Sequence, residues 1–319
     1  MKMSMNGFFS SRYRLLKKRL HPITKEWGLT FYVLRHSKLA VGGAAITLLF
    51  VFIAIFGSLL APYDPVGTDI QERFQAPSSA HPFGTDKMGR DVMSRMLAGA
   101  QHSIKAGLVV LAIAVPLGII LGGIAGMFGG WIDEVIMRFT DIFLAFPSLV
   151  LAMSFSAALG PSLFNAMIAL SIVWWPMYAR LVRGQALAIR ETSYVEAARS
   201  RGAGRLYIMF KHILPNCLSP ILVTLTLDMG WVITAAAALS FLGFGAQPPL
   251  PEWGRMVSDG RIYMLRAWWV SVFPGVGIVL TVLGFNLLGD GIRDSLDPKL
   301  RRLTEVKWKQ KKTSSSSTS

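Results

Sequence analysis

Arg190-Glu-Thr-Ser-Tyr-Val-Glu-Ala-Ala-Arg-Ser-Arg-Gly-Ala-Gly-Arg205, running on to His212-Ile-Leu-Pro-Asn216, stands between two long apolar runs. It reads as two short helices joined by a glycine corner. Ser193 and Glu196 have capping-box spacing, in which the serine bonds the amide at Glu196 and the glutamate reaches back to the amide of Ser193. Ala197 and Ala198 favour helix and permit close backbone approach. Gly202 can take the left-handed conformation that ends a helix, and Gly204 loosens the corner further. The second helix places Leu206, Met209, Phe210 and Ile213 at spacings that share one face, and Pro215 marks its stop. An apolar face on a polar loop needs something to cover it.

The runs on either side set the environment of this loop. A bilayer core takes roughly 20 mostly apolar residues per helix, and six stretches qualify: 39–61, 104–127, 141–160, 164–182, 218–240 and 268–290. The whole chain of 319 residues is 52% hydrophobic and 16% charged, too apolar for an ordinary soluble domain. The expected class is all-α integral membrane. The formal charge of +15 raises nucleic acid as a partner, but the basic residues gather beside apolar runs and not on one amphipathic face, so no nucleic acid is expected. The single cysteine, Cys217, excludes an intrachain disulfide and a multi-cysteine metal cluster.

Lysine and arginine excess marks the cytoplasmic side of a membrane protein. Residues 1–38 form a basic arm with Lys2, Arg12, Arg14, Lys17, Lys18, Arg19, Lys25, Arg35 and Lys38, which puts the N-terminus inside. The span behind it is too long for a signal-peptide core and reads as an anchor. Alternation through six spans then puts Arg183, Arg190, Arg199, Arg201, Arg205 and Lys211 in the cytosol, together with a basic tail, 293–319. Both termini are therefore expected to be cytoplasmic. The loop 62–102 lies outside, with its basic residues offset by Asp64, Asp69, Glu72, Asp86 and Asp91. One short inside loop dissents, because Asp133, Glu134 and Asp141 outnumber Arg138. The serine-threonine end, Thr313 to Ser319, cannot bury apolar surface and is expected to be disordered.

Glu196-Ala197-Ala198, then Gly202, then Leu214-Pro215 resembles the EAA loop of binding-protein-dependent ABC importers. The resemblance departs at His212, where the family often has isoleucine; the adjacent Ile213 is expected to take over its packing. Other segments are similar to the C-type subunit of dipeptide, oligopeptide and nickel permeases: His81-Pro-Phe-Gly-Thr-Asp-Lys-Met-Gly-Arg-Asp-Val-Met-Ser-Arg95, Asp141-Ile-Phe-Leu-Ala-Phe-Pro147, Leu239-Ser-Phe-Leu-Gly-Phe-Gly245, Trp253-Gly254, and Asn286 to Pro298. Where that branch often carries a glutamate just before Leu239, this chain has Ala235 to Ala238.

The resemblance implies the ABC importer type I transmembrane fold over 103–292, with 190–216 as the loop that docks on an ATPase subunit. Its contact residues would be Ser193, Glu196, Ala197, Ala198, Gly202, Leu206, Phe210, Ile213, Leu214 and Pro215. It also implies a homologous permease subunit as heterodimer partner, two ABC ATPase subunits carrying ATP and Mg, and an extracytoplasmic substrate-binding protein, all at the cytoplasmic (inner) membrane. The expected cargo is di- or oligopeptides, with a nickel or other metal chelate or an oligosaccharide as alternatives. Asp86, Arg90, Asp91 and Trp253 are candidates for docking the binding protein, or equally for folding the outer loop.

Asp228 falls near the middle of the fifth run, where an ionisable group is costly unless it meets a partner or a wet cavity. It is the first candidate for the translocation path, with Trp174 and Trp175; a hydrogen bond to a neighbouring helix is the other reading. The sequence has no Gly-Lys-Ser or Gly-Lys-Thr, no His-Glu-x-x-His and no Gly-x-Ser-x-Gly, so neither a phosphate loop nor a metal or catalytic site is expected on this chain, and no cofactor. An ion-coupled carrier or a channel is the competing class. It accounts for the helices and Asp228 and leaves the loop unexplained.

Overall fold

The computed structural model describes residues 34, 35 and 37–296. The basic arm up to residue 33 and the tail from 297, including the expected disorder at its end, lie outside the described residues. All regular structure among the described residues is helix, with one isolated β-bridge between Thr85 and Asp91.

Helix α1, Lys38–Leu60, starts where Ser37 Oγ accepts from the Ala40 amide. A long loop with one 3₁₀ turn, Ile70–Glu72, leads to α2, Val92–Phe128. Gly129 then turns the chain into α3, Gly130–Ala145, which breaks at Phe146 and Pro147 before α4, Ser148–Leu159. Helix α5, Leu163–Arg190, returns to the end where α2 finished, and α6, Ser193–Ser200, and α7, Arg205–Ile208, follow there. A π turn, Met209–Ile213, joins α7 to α8, Leu214–Phe241. The chain closes with α9, Trp253–Gly260, and α10, Trp269–Leu296. The bundle thus has two ends: a cap formed by the 61–91 loop and α9, and an elbow formed by α6, α7 and the π turn.

What holds the bundle is close backbone approach. A Cβ at Gly118 would lie 2.4 Å from Tyr178 Cβ, one at Gly122 2.2 Å from the Ala179 carbonyl oxygen, and one at Gly126 2.5 Å from Ala186 Cβ. Glycines one turn apart on α2 therefore make the groove into which α5 packs, the device that helices use where apolar burial gives no driving force between them. On the outside, Leu48, Leu59, Phe164, Trp231 and Val279 stand exposed. Large apolar side chains on the outer face, with glycines where helices touch, are what a lipid solvent favours.

Four helical runs are long and apolar enough to cross a membrane: Lys38–Leu60, Val92–Phe128, Arg205–Phe241 and Trp269–Leu296. The α3 and α4 pair, bent by 93°, makes a fifth if counted as one span. The span expected over 141–160 is not one continuous helix: that stretch is the end of one helix, a break at Phe146-Pro147 and a second helix. The residue before a proline is pushed out of helical geometry, and Phe146 sits at φ −94° and ψ 145°. Helix α5 is long enough to cross, but Asn165, Pro176 and Arg180 dilute its apolar character. Pro215 does not stop the second elbow helix either. The helix passes through the π turn, Pro215 falls in the first turn of α8, and a missing amide is harmless there. The run expected at 218–240 therefore begins at Arg205.

Candidate functional site

The elbow begins where α5 ends. Arg190 donates to the Gly126 carbonyl at 3.2 Å, and Arg183 grips Asp133 of α3 with two nitrogens, one of them at 2.7 Å. Arg205 lies 5.8 Å from the Phe128 ring centre, a cation over an aromatic face. These contacts explain the dissenting acidic loop, since Asp133 and Asp141 are answered by Arg183 and Arg180 of α5. Their charge is neutralised locally.

Helix α6 starts at Ser193, but the capping box is not formed. Thr192 is the cap residue, with no side-chain cap bond, and its carbonyl receives the amides of Val195 and Glu196. Val195 and Ala198 are buried beneath it, while Ser193, Glu196 and Ala197 face outward. Gly202 ends the helix at φ +83°, and the Ala203 amide donates to the Ala198 carbonyl. A Cβ at Gly202 would meet nothing within 4 Å, so glycine is needed there for its backbone alone.

The expected single apolar face divides. Ile213 and Met209 are buried, whereas Leu206 and Phe210 are exposed and join Ile120, Ile124 and Phe128 around an apolar groove of about 600 Å³ beside α2. Leu206 and Phe210 thus turn toward the bundle's flank. Around the glycine corner, Ala198, Arg201, Gly202, Gly204, Tyr207 and His212 surround a second hollow of about 560 Å³. The His212 ring lies 6.0 Å from that of Tyr194 and 5.9 Å from that of Tyr207. Leu214 lines the apolar groove, and Ile213 does the interior packing that His212 does not.

At the cap, all four docking candidates are buried: Asp86, Arg90, Asp91 and Trp253 are each at most 6% exposed. Asp86 receives the amides of Met88 and Arg90 and pairs with Arg90 Nε at 2.7 Å. Asp91 caps α2 through the Ser94 amide and hydroxyl, both at 2.7 Å, and its other oxygen meets His81 Nδ1 at 2.9 Å. Trp253 donates from its indole to the Met96 carbonyl at 3.0 Å. These buried side chains fold the loop, the second of the two readings given to them.

Two of the three path candidates are buried and Trp174 is half-buried. Asp228 and Trp175 are buried, and Trp174 donates from its indole to Asp228 at 3.3 Å. The cluster ties α5 to α8 inside the chain. This is the hydrogen bond to a neighbouring helix given as the other reading of Asp228.

Glu252 was not singled out by sequence. It is 1% exposed and caps α9, receiving the Gly254 and Arg255 amides at 3.0 and 2.9 Å and the Ser103 hydroxyl at 3.1 Å. Burial pushes its carboxyl above the usual carboxylate range, against the pull of those donors. An acid just before Trp253-Gly254, at the foot of a short helix, was the available signal.

The family described as binding-protein-dependent transport system inner membrane component matches residues 114–302, and the N-terminal TM domain of oligopeptide transport permease C matches residues 25–77. Among curated proteins, the chain is 53% identical over 268 residues to the "Probable D,D-dipeptide transport system permease protein DdpC" of Escherichia coli (strain K12), covering 84% of this chain and 90% of that one. It is 48% identical over 275 residues to the dipeptide transport system permease protein DppC of Alkalihalophilus pseudofirmus, covering 86% and 90%. A chain of the methionine ABC transporter MetNI, solved in inward-facing conformations, aligns with a TM-score of 0.50 at 22% identity, over 64% of this chain and 98% of that one. That likeness bears on the fold alone.

Proposed function

We propose, from the premise that this chain belongs to the family of binding-protein-dependent transport system inner membrane components, that it is one of two permease subunits of an ATP-driven importer of di- or oligopeptides. Its relatives bear peptide and dipeptide transport names, and that supports the cargo class. In this reading a homologous subunit completes the path, two ATPase subunits carry ATP and Mg, and an extracytoplasmic binding protein delivers the peptide. The bent α3 and α4 pair and α5 bring the span count to six in an inner membrane. Both termini and the elbow then face the cytosol, in accord with the lysine and arginine distribution.

The observation that carries the reading is the elbow's form. Helix α6 rests on buried Val195 and Ala198, shows Glu196 and Ala197 outward, and ends on Gly202 at φ +83°. It is joined at its base to α2 and α3 through Arg190 and Arg183. A push on such a projection is passed to helices that cross the bilayer. ATP binding would bias the assembly by favouring one of two elbow positions.

The test is ATP-driven dipeptide uptake by the reconstituted complex, with and without Gly202→Asp. Uptake that requires ATP and falls at least tenfold in the variant is the expected result. Uptake sustained by an ion gradient without ATP, or unaffected by the substitution, contradicts it.

A further inference from the structure

The apolar groove beside α2 is enclosed by nine residues, every one isoleucine, leucine, methionine or phenylalanine, among them Ile124, Phe128, Leu206 and Phe210. Two runs apolar enough to cross a membrane end at it: Phe128 is the last residue of one and Arg205 the first of the other. The side chains at this level are of the kind that anchors helices at a membrane surface. Trp131, just past Phe128, is 74% exposed, and the Arg205 guanidinium lies 5.8 Å from the Phe128 ring centre, at the rim of the groove. Arg205 is itself exposed and forms no ion pair among the described residues.

A hydrocarbon-lined groove with an unanswered cation at its rim fits an amphiphile with an anionic head. A second protein helix fits it poorly. Helices in this chain meet at glycines, as Gly118, Gly122 and Gly126 of α2 do against α5, because small residues let backbones approach closely in a membrane. The groove has no such seat: its walls are branched and aromatic side chains, and Gly123 is already covered by Leu214, whose Cδ2 would lie 3.3 Å from a Cβ there. Glycines open to a neighbouring helix stand on other surfaces. At Gly42 of α1, Gly184 of α5 and Gly275 of α10 a Cβ would meet nothing within 4 Å.

From this geometry we infer that the groove is a binding site for an anionic phospholipid of the surrounding bilayer, which lays an acyl chain between Ile124, Phe128, Leu206 and Phe210 and sets its phosphate on Arg205. The planar guanidinium offers two parallel donors to phosphate oxygens, and basic residues beside membrane helices draw anionic lipid. A chain held there touches α2 and the elbow at once, so the lipid braces the elbow against the span. The site goes beyond the transport reading above, since it needs only the membrane and not a particular solute.

The test uses the complete transport complex in phosphatidylcholine nanodiscs. Two photoreactive lipids with identical diazirine-bearing acyl chains are the probes, one a phosphatidylglycerol and the other a phosphatidylcholine, and labelled residues are mapped by mass spectrometry. The phosphatidylglycerol should label both walls, 119–132 and 206–214, at least fivefold more than the phosphatidylcholine. Arg205→Gln should abolish that preference, and Arg205→Lys should keep most of it. Ile124→Trp, which fills the groove, should lower labelling by both lipids at least threefold.

Equal labelling by the two lipids, or a preference that ignores Arg205→Gln, overturns the headgroup contact and with it the anionic-lipid site. No label on either wall overturns the site outright. A benzophenone carried on Ile124→Cys, in a Cys217→Ser background, separates lipid from protein: adducts to the homologous subunit or to residues 1–33 of this chain, in place of lipid, show that protein fills the groove and contradict the inference.

Discussion

The cap and the elbow use the same backbone device to opposite ends. Gly89 in the cap and Gly202 in the elbow both sit at positive φ, +74° and +83°. A Cβ at Gly89 would fall 1.6 Å from the Asp69 carbonyl oxygen, whereas one at Gly202 would meet nothing. Around Gly89, charges are buried and answered on several sides, and the Trp269 indole ties the loop to α10 through the Thr85 carbonyl. Around Gly202 the chain is open, with exposed residues and a hollow. One end is determined by its own contacts. The other presents a shape that nothing within the described residues completes.

The largest effect expected from this contrast is that of Gly89→Ala. It combines left-handed strain with a backbone clash and should destabilise the cap by about 3 kcal/mol or more, read as early thermal unfolding or tryptic cleavage within 62–91. Stability within error of the parent would break the comparison. Asp91→Ala should follow closely, because it removes the cap of α2 and one hydrogen-bond partner each from His81 and Ser94, a loss of about 3 kcal/mol. Gly202→Ala carries strain without a clash and should cost about 1 kcal/mol, leaving the cap's proteolysis pattern as it was. Cap cleavage in that variant would show that the two ends are not independent.

The smallest effect belongs to Glu252, and its sign is fixed by burial. The folded carboxyl holds its proton to a higher pH than the unfolded one. Its contribution is therefore complete below the ordinary carboxylate value of about 4 and declines as pH rises through the raised value. Glu252→Gln cannot ionise and should flatten that part of the stability profile, while losing about 1 kcal/mol from one mismatched amide at the α9 cap. A profile as steep as the parent's would contradict this account of the residue.

Much of this was legible in the sequence because membrane helices and helix ends have local causes. Apolar runs announce α1, α8 and α10, and Gly202 announces the end of α6 from its own backbone freedom. The capping box failed because Thr192 lies one residue nearer the turn and its carbonyl takes the first amides. The break in 141–160 was marked by Pro147, but apolar composition alone cannot tell a bent pair from one span. What depended on partners remote in sequence was hidden: Asp141 with Arg180, Asp133 with Arg183, and Ser103 with Glu252 join residues brought together only by packing. Burial of Asp86, Arg90 and Asp91 was hidden for the same reason. A charged loop reads alike whether its charges face water or each other.

The direct test of the elbow as a joint is chemical cross-linking in the assembled transporter. A short bifunctional reagent on Ala197→Cys, in a Cys217→Ser background, should join this chain to an ATPase subunit, and ATP should change the yield. Met88→Cys at the exposed cap should give no such product. Cross-links from Met88→Cys to an ATPase, or none from Ala197→Cys under any nucleotide condition, would place the joint elsewhere and contradict the account.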